Sequence, residues 1–167
     1  MRHIDDIFAG RVITRYSTLE AVEEEILKAD VVIGAVLTAG AAAPKLVRRE
    51  HLSRMKPGSV LVDVSIDQGG CFETSRPTTH KDPTYTVDGV VHYCVANMPG
   101  AAPRTSSEAL VHATLPFGLQ LAAQGLDALK RNRHLAKGLN VLAGDITHPA
   151  VAEALGKPFK DPFHVWG

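Results

Sequence analysis

Three mainly apolar runs, each followed by small or polar residues, constrain the fold of this chain most strongly. They are VVIGAVL at 31–37, VLVDVSID at 60–67 and GVVHYCVANM at 89–98. Helical periodicity precedes the first two runs, in TLEAVEEEILKAD and LVRREHLSRM. Strands that alternate with helices are typical of a parallel sheet that is covered on both faces. The sequence therefore predicts an α/β fold with a parallel sheet.

The segments around these runs extend the pattern. MRHIDDIFAG is typical of a helix that Gly10 closes, and RVITRY at 11–16 is a short β-rich run. Ser17 stands three residues before Glu20, which is the spacing of a capping box at the start of the next helix. These features predict a helix and a further strand ahead of the first apolar run.

From residue 105 the pattern changes to a long helical stretch, TSSEALVHATLPFGLQLAAQGLDALKRN. Thr105 and Glu108 again have capping-box spacing, and Pro116 should kink or divide the helix. GLNVLAGDITHPAVAEALG then predicts a short extended piece and a short helix that begins near Thr147 or His148.

Composition and charge exclude several classes of partner. The formal net charge is zero, so no global field attracts nucleic acid or an anionic membrane. No apolar run approaches the ~20 residues that cross a bilayer, and MRHIDDIFAG lacks the apolar core of a signal peptide. Two cysteines, Cys71 and Cys94, predict reduced thiols in a cytoplasmic protein. A local basic cluster is interpreted as a solvated helix end: Lys130, Arg131, Arg133 and His134.

Candidate ligand-binding residues fall at the carboxyl ends of the predicted strands, where open parallel sheets bind ligands. Asp67 ends the second run. Val36 and Leu37 end the first run, and Asn97 and Met98 end the third. Because the carboxyl ends of parallel strands share one edge, we expect these residues at the same rim.

The second run and its loop carry further expectations. A period of two would place Asp63, Ser65 and Asp67 on one face, with Asp63 making a structural hydrogen bond. Spacing leaves two roles open for Asp67, either a functional carboxylate or a cap of the following turn. Gly69 and Gly70 predict positive φ angles or a close backbone approach.

Several familiar motifs are absent from the sequence. There is no G-x-G-x-x-G turn, no histidine spacing that suits a metal and no G-x-S-x-G elbow. His92 and His112 are interpreted as satisfied interior or interface polar groups. From the residues alone two function classes remain open, a part of an oxidoreductase and a ligand-binding or assembly module without chemistry.

A combination of longer motifs resembles a known family. ADVVIGAVL, MKPGSVLVDVSIDQGGCFETSRPTTH and GVVHYCVANMPGAAPRTSSEAL are similar to the C-terminal part of the L-alanine dehydrogenases, within the alanine dehydrogenase and pyridine nucleotide transhydrogenase family. Members interconvert L-alanine with pyruvate and ammonium using NAD. The resemblance implies an incomplete Rossmann-like NAD-binding domain at 1–104 and a helical segment at 105–167 that packs on a substrate domain. It also implies a homo-oligomer.

The resemblance implies roles for particular residues. Asp67 would face the nicotinamide and the substrate and take part in catalysis. Ser17 would contact the adenosine end of NAD. The remaining cofactor contacts would come from Val36, Leu37, Val64, Ile66, Asn97 and Met98.

The chain departs from the family in what it lacks. The family's substrate domain, glycine-rich pyrophosphate turn and ribose-binding Asp would precede the segment that resembles this chain. In family strand order this chain holds strands 3 to 6, and strands 1 and 2 normally lie between 3 and 4. We therefore expect bare strand edges, with 11–16 pairing directly with the next strand, detaching or pairing with another chain. The long helix should expose its apolar face or dimerise. The alternative function is a non-catalytic truncated domain that oligomerises or weakly binds nucleotide.

Overall fold

A computed structural model describes residues 2–39 and 41–162. The chain divides into two compact units. The first comprises Met1–Val36 and Ala43–Ala96, and the second comprises Leu37–Ala42 and Asn97–Gly167. The predicted functional boundary at residue 104 stays a prediction.

The first unit contains a four-stranded sheet of order β1-β2-β4-β3. Strands β1, β2 and β4 are parallel, and β3 is antiparallel to β4. This confirms the predicted α/β class with a mainly parallel sheet. The elements in chain order are α1 (Arg2–Phe8), α2 (Leu19–Lys28), β1 (Val31–Gly34), α3 (Arg49–Leu52), β2 (Val60–Asp63), a 3-10 helix (Val64–Gln68), β3 (Thr84–Val87) and β4 (Val90–Tyr93).

The core of this unit lies around the central strand β2. Leu61 is fully buried between the neighbouring strands, and burying a side chain of this size contributes about 1.5–3 kcal/mol. Helix α2 adds Ile26 and helix α3 adds Leu52. The other buried members are Ala43, Val47, Met55, Cys71, Phe72 and Val90.

Strand β1 forms one edge of the four-stranded sheet, which agrees with the expected bare strand edge. The predicted strand at 31–37 ends early, at Gly34. The prediction that both faces of this run are covered was wrong for its outward residues, because Ile33 is 66% exposed and Val31 is also exposed. Segment 11–16 forms no strand, and Ile13 is 86% exposed. Within this chain 11–16 is detached from the sheet rather than paired with β1, and pairing with another chain stays a prediction.

Strand β3 was not predicted, because Thr84–Val87 lies outside the three apolar runs. Strands β3 and β4 form a hairpin whose turn is Asp88 and Gly89, with φ angles of 50° and 82°. Positive φ at both central residues is the geometry of a two-residue hairpin turn, for which Asp-Gly is a strong signal. The sequence TYTVDGVV therefore held the information that predicts this strand.

The start of α2 also corrects a prediction. The capping residue is Thr18, whose Oγ1 accepts a hydrogen bond from the backbone N–H of Ala21 at 3.1 Å. The predicted capping box at Ser17 was therefore wrong by one residue. The helix itself, and α1 with Gly10 at its end, were predicted correctly.

The second unit is mainly helical. It contains a 3-10 helix (Met98–Ala101), α4 (Pro103–Gln124), α5 (Asp127–Arg131), α6 (Arg133–Ala136), the short strands β5 (Val141–Leu142) and β6 (Asp145–Ile146), and α7 (Pro149–Leu155). The predicted short extended piece and the short helix after His148 are confirmed.

Helix α4 differs from its predicted form at both ends. It begins at Pro103 with Ala102 as the capping residue, so the expected capping box at Thr105 was wrong. Pro116 lies inside the helix without dividing it. The break comes instead at Gly125, whose φ of 56° an ordinary residue rarely adopts.

None of the 22 residues of α4, all of them described, is buried. The apolar face of the long helix is thus exposed within the single chain, as expected, and its dimerisation stays a prediction. Its exposed large apolar side chains are Leu110, Val111, Leu115, Phe117, Leu119 and Leu121. Over 2–39 and 41–162, no helix is long and apolar enough to cross a membrane.

Two glycine substitutions should have opposite effects on stability. A Cβ atom at Gly34 would lie 2.2 Å from Cys71 Sγ and 2.7 Å from Phe72 Cζ, so Gly34→Ala overpacks the core. We expect it to lower the free energy of unfolding by about 1–3 kcal/mol. Gly118→Ala adds a Cβ in open space within α4 and should raise helix stability by about 0.5–1 kcal/mol. Urea unfolding followed by circular dichroism tests both, and a neutral Gly34→Ala would contradict the described packing.

Candidate active site at the carboxyl ends of the strands

Asp67 lies on a 3-10 helix rather than on a strand. Strand β2 ends at Asp63, and residues Val64–Gln68 form a 3-10 helix. The expected shared face of Asp63, Ser65 and Asp67 was therefore wrong, because the period of two ends with the strand. Asp63 and Ser65 are buried, whereas Asp67 is exposed to solvent.

The carboxylate of Asp63 is fully buried at the end of β2. It accepts hydrogen bonds from the backbone N–H of Ser65 at 3.0 Å and of Cys71 at 2.9 Å. The backbone N–H of Phe72, at 3.4 Å, the thiol of Cys71, at 3.5 Å, and the hydroxyl of Ser75 also donate to it. Several donors around a buried charge offset its lost hydration. The predicted structural role of Asp63 is confirmed.

The loop after Asp67 is held from two sides. Lys45 Nζ donates to the carbonyl oxygens of Gly69 and Gly70, at 2.5 and 2.8 Å. Both glycines have positive φ angles, of 84° and 76°. A Cβ at Gly70 would lie 2.6 Å from Asp63 Oδ2. The predictions of positive φ and close approach are both confirmed, and the role of Lys45 was missed.

The Asp67 carboxylate remains open to a ligand. Within the described part of the chain it accepts no hydrogen bond and makes no ion pair, so the turn-capping alternative gains no support. Its backbone is nevertheless fixed, since Gly69 N–H closes the 3-10 helix on Ile66 O at 3.0 Å. The site thus presents an accessible carboxylate on an ordered backbone.

The hydroxyl of Ser65 joins this loop to the end of β1. Ser65 Oγ donates to Val36 O at 2.7 Å, which places Val36 beside the 3-10 helix. Val64 is half exposed and Val36 half buried, so both present apolar surface. Ile66 is buried, and its side chain belongs to the core.

Ser17 lies at a separate cavity of the first unit, of about 270 Å³. Tyr16 and Arg15 line it together with Ser17, ahead of α2. Arg15 forms ion pairs with Glu24, at 2.9 Å, and with Glu25. An aromatic ring, a hydroxyl and an ordered cation are groups that suit a nucleoside.

The remaining predicted residues belong to the second unit. Asn97 adopts the left-handed conformation, with φ 57° and ψ 50°, which asparagine tolerates better than most residues. It precedes the 3-10 helix that begins at Met98 and lines a cavity of about 640 Å³ with Pro99, Ser106 and Leu110. Leu37 is 81% exposed.

A polar cluster around His92 on β4 and Tyr85 on β3 was only partly predicted. His92 is fully buried, and its Nδ1 lies 3.0 Å from Val90 O. A carbonyl only accepts, so Nδ1 carries the proton and Nε2 accepts from Thr74 Oγ1 at 2.7 Å. Burial lowers the pKa of His92, which keeps the ring neutral. The ring stacks on Tyr85, with centroids 4.9 Å apart. The expectation of a satisfied interior histidine is confirmed.

Both cysteines are free and buried, as expected for reduced thiols. Burial, and then the charge of Asp63, raise the pKa of the Cys71 thiol to about 11. A thiol with so high a pKa is protonated at neutral pH and is a poor nucleophile. Asp67 thus remains the candidate for chemistry in this unit.

Comparison with known proteins places this geometry in a family. The family model of the alanine dehydrogenase/PNT C-terminal domain matches residues 1–149. The chain belongs to the alanine dehydrogenase/PNT family. This confirms the resemblance that the sequence motifs indicated.

Curated relatives of the family are much longer than this chain. The alanine dehydrogenase of Halomonas elongata is 63% identical over 154 residues, which are 92% of this chain and 42% of that protein. The alanine dehydrogenase of Mycolicibacterium smegmatis is 54% identical over 162 residues, 96% of this chain and 44% of that protein. The chain therefore spans less than half the length of these relatives.

Solved structures give the same result. An L-alanine dehydrogenase structure matches with a TM-score of 0.77 and 49% identity, over 93% of this chain and 43% of that one. A transhydrogenase from Sinorhizobium meliloti matches with a TM-score of 0.58 and 29% identity, over 82% of this chain and 37% of that one. The sequence motifs likewise resembled alanine dehydrogenase more closely than transhydrogenase.

Two carboxylates four residues apart should differ sharply in their effect on stability. In Asp63→Asn, one carboxylate oxygen that accepts hydrogen bonds is replaced by an NH₂ group, which only donates. Backbone N–H groups such as those of Cys71 and Phe72 then lose an acceptor. We therefore expect a loss of about 2–4 kcal/mol in the free energy of unfolding. Asp67→Asn changes an exposed carboxylate, and the expected change is within about 0.5 kcal/mol. Urea unfolding of both variants provides the comparison, and equal losses would refute the assigned roles.

The buried His92 should make stability depend on pH. Its pKa is lowered in the folded chain, so below the ordinary value of about 6.5 the unfolded chain takes up a proton that the folded chain does not. The stability that the neutral His92 ring contributes is therefore complete above about pH 6.5 and decreases as the pH falls below it. In His92→Asn the difference between urea unfolding at pH 7.5 and at pH 5.5 should be smaller than in the wild type. An unchanged difference would show that His92 does not contribute.

Proposed function

We propose that this chain supplies the Asp67-bearing rim of an NAD-dependent L-alanine dehydrogenase. The reaction converts L-alanine, NAD⁺ and water into pyruvate, ammonium, NADH and a proton. The observation that carries the proposal is the exposed Asp67 carboxylate on a loop held by Asp63 and Lys45, in a chain of this family. The alanine dehydrogenases among the relatives support the substrate class.

The residues of this chain fit two ends of NAD. The cavity at Ser17, with Tyr16 and Arg15, suits the adenosine end. The apolar surface of Val64 and Val36 beside Asp67 suits the nicotinamide end. The other residues that would hold the cofactor are Leu37, Asn97 and Met98, together with Ile66 through its backbone, since its side chain is buried. The sequence contains no glycine-rich turn for the pyrophosphate between these ends. The residues of this chain therefore suit the adenosine and nicotinamide ends of NAD, but the chain has no such turn for the pyrophosphate.

When bound, NAD would supply the acceptor for the hydride that leaves the α-carbon of L-alanine. The Asp67 carboxylate would hold the ammonium or iminium nitrogen of the substrate by charge and hydrogen bonding. It could equally orient the water that adds to the iminium carbon, with the surplus proton passing to solvent. The fixed backbone at Gly69 and Gly70 would keep the backbone of Asp67 in one position, which lowers the cost of bringing this carboxylate to the substrate.

The chain on its own should be a weak enzyme. Binding pyruvate needs cations, and the family places these in a substrate domain that precedes the matching segment. The second candidate is a non-catalytic domain that oligomerises or weakly binds nucleotide. The exposed apolar side chains of α4 favour it. We propose a homo-oligomer in the cytoplasm for either candidate, with residues 1–104 as the incomplete NAD-binding domain and 105–167 as the segment that packs on a substrate domain.

The test is NADH oxidation by the purified chain with pyruvate and ammonium. We expect slow turnover that falls at least about tenfold in Asp67→Asn, since a charge-assisted contact of about 1.5–3 kcal/mol is lost. Asp30→Asn, which removes an exposed carboxylate paired with Lys56, is the matched control and should keep the wild-type rate.

The same assay separates the two candidates. NADH binding without turnover in the wild type favours the non-catalytic domain. Turnover that is equal in wild type and Asp67→Asn would refute the role of Asp67.

A further inference from the structure

A basic cavity in the second unit has no part in the proposed function. It has a volume of about 590 Å³, within the range of small-molecule sites. It is open to solvent, and the end of α4 and the turn between α5 and α6 form its walls. The residues that line it and carry the argument are Gln120, Gln124, Arg131, Asn132, Arg133 and His134.

The wall of this cavity is fixed by Asn132. Its Nδ2 donates to Gln120 Oε1 at 2.9 Å, which ties α4 to the α5–α6 turn. Its Oδ1 accepts from the backbone N–H groups of His134 and Leu135, at 3.0 and 3.2 Å. Gln120 Nε2 in turn donates to Pro116 O at 3.2 Å. Each amide is therefore held in one orientation, and the arginines on either side of Asn132 start from an ordered backbone.

The charge of the cavity is uncompensated. No aspartate or glutamate lines it. The nearby Asp127 pairs with Lys130 at 3.6 Å, whereas Arg131 and Arg133 make no ion pair with any residue in 2–39 or 41–162. The cluster was interpreted as a solvated helix end, and its side chains are indeed exposed, but two arginines and a histidine also converge on one concave surface. Such a surface attracts anions.

We propose that this cavity binds a small phosphate-type anion, with a diphosphate group as the best fit. An arginine guanidinium presents paired N–H donors that match phosphate oxygens, and two such groups flank Asn132. The volume exceeds that needed by a single phosphate. No aromatic side chain lines the cavity to stack on a base, so the site does not favour nucleic acid. The proposal stands on the second unit alone and does not depend on the alanine dehydrogenase reaction.

Isothermal titration calorimetry of the full chain with inorganic pyrophosphate, at low ionic strength, tests the proposal. We expect one saturable site with a dissociation constant in the millimolar range or below. The double variant Arg131→Gln/Arg133→Gln should weaken binding by at least about tenfold, because charged hydrogen bonds are lost. Gln124→Glu, which adds a carboxylate to the lining, should weaken it similarly while leaving both arginines in place.

Arg104→Gln is the matched control, since Arg104 is an exposed arginine of the same unit outside this cavity. It should bind pyrophosphate as the wild type does. Circular dichroism checks that each variant is folded, and ADP in place of pyrophosphate distinguishes a nucleotide from a free diphosphate. Absence of binding, equal binding in all variants, or tighter binding of a short oligonucleotide would each overturn the proposal.

Discussion

The buried carboxylate of Asp63 accepts hydrogen bonds from three backbone N–H groups, one hydroxyl and one thiol, and the rest of the candidate site depends on it. The hydrogen bond that it accepts from Ser65 N–H caps the start of the 3-10 helix that carries Asp67. The hydrogen bond that it accepts from Cys71 N–H holds the end of the loop that follows this helix. Gly70 has to be a glycine because the chain passes so close to this carboxylate. The buried Asp63 carboxylate is thus hydrogen-bonded within the protein, whereas the Asp67 carboxylate four residues later is exposed to solvent. We regard this division between a structural and a functional aspartate as the main feature of the strand end.

Sequence reasoning reached the class of the fold and the position of the rim because both follow from hydrophobic periodicity and strand order. Sequence reasoning failed where side-chain hydrogen bonds and tertiary contacts determine the local structure. The strand at 60–67 stops at Asp63 because that side chain caps a 3-10 helix, which periodicity does not reveal. Strand β3 was missed although its Asp-Gly turn was readable. Lys45 was missed because its partners are backbone carbonyls 24 and 25 residues away.

The open edge at β1 and the exposed helix α4 both present apolar side chains to solvent, among them Ile33 and Phe117. The chain spans less than half the length of its relatives. Segment 11–16 pairs with no strand of the described sheet, so it lacks the ladder hydrogen bonds that would hold it extended. The first unit nevertheless keeps a continuous core around Leu61, so the rim rests on an ordered base.

The most direct test of the central claim is a ¹H–¹⁵N correlation spectrum of the chain titrated with NADH. Our account predicts that the amide signals of Ser65, Asp67, Gly69 and Gly70 shift, together with those near Ser17. Signals from residues 120–134 should not shift through binding at the Asp67 rim. If they do shift because the diphosphate group of NADH also occupies the basic cavity, the double variant Arg131→Gln/Arg133→Gln should abolish that shift. Unchanged signals at 64–70 at saturating NADH would show that the Asp67 rim does not meet the cofactor, and would contradict the account.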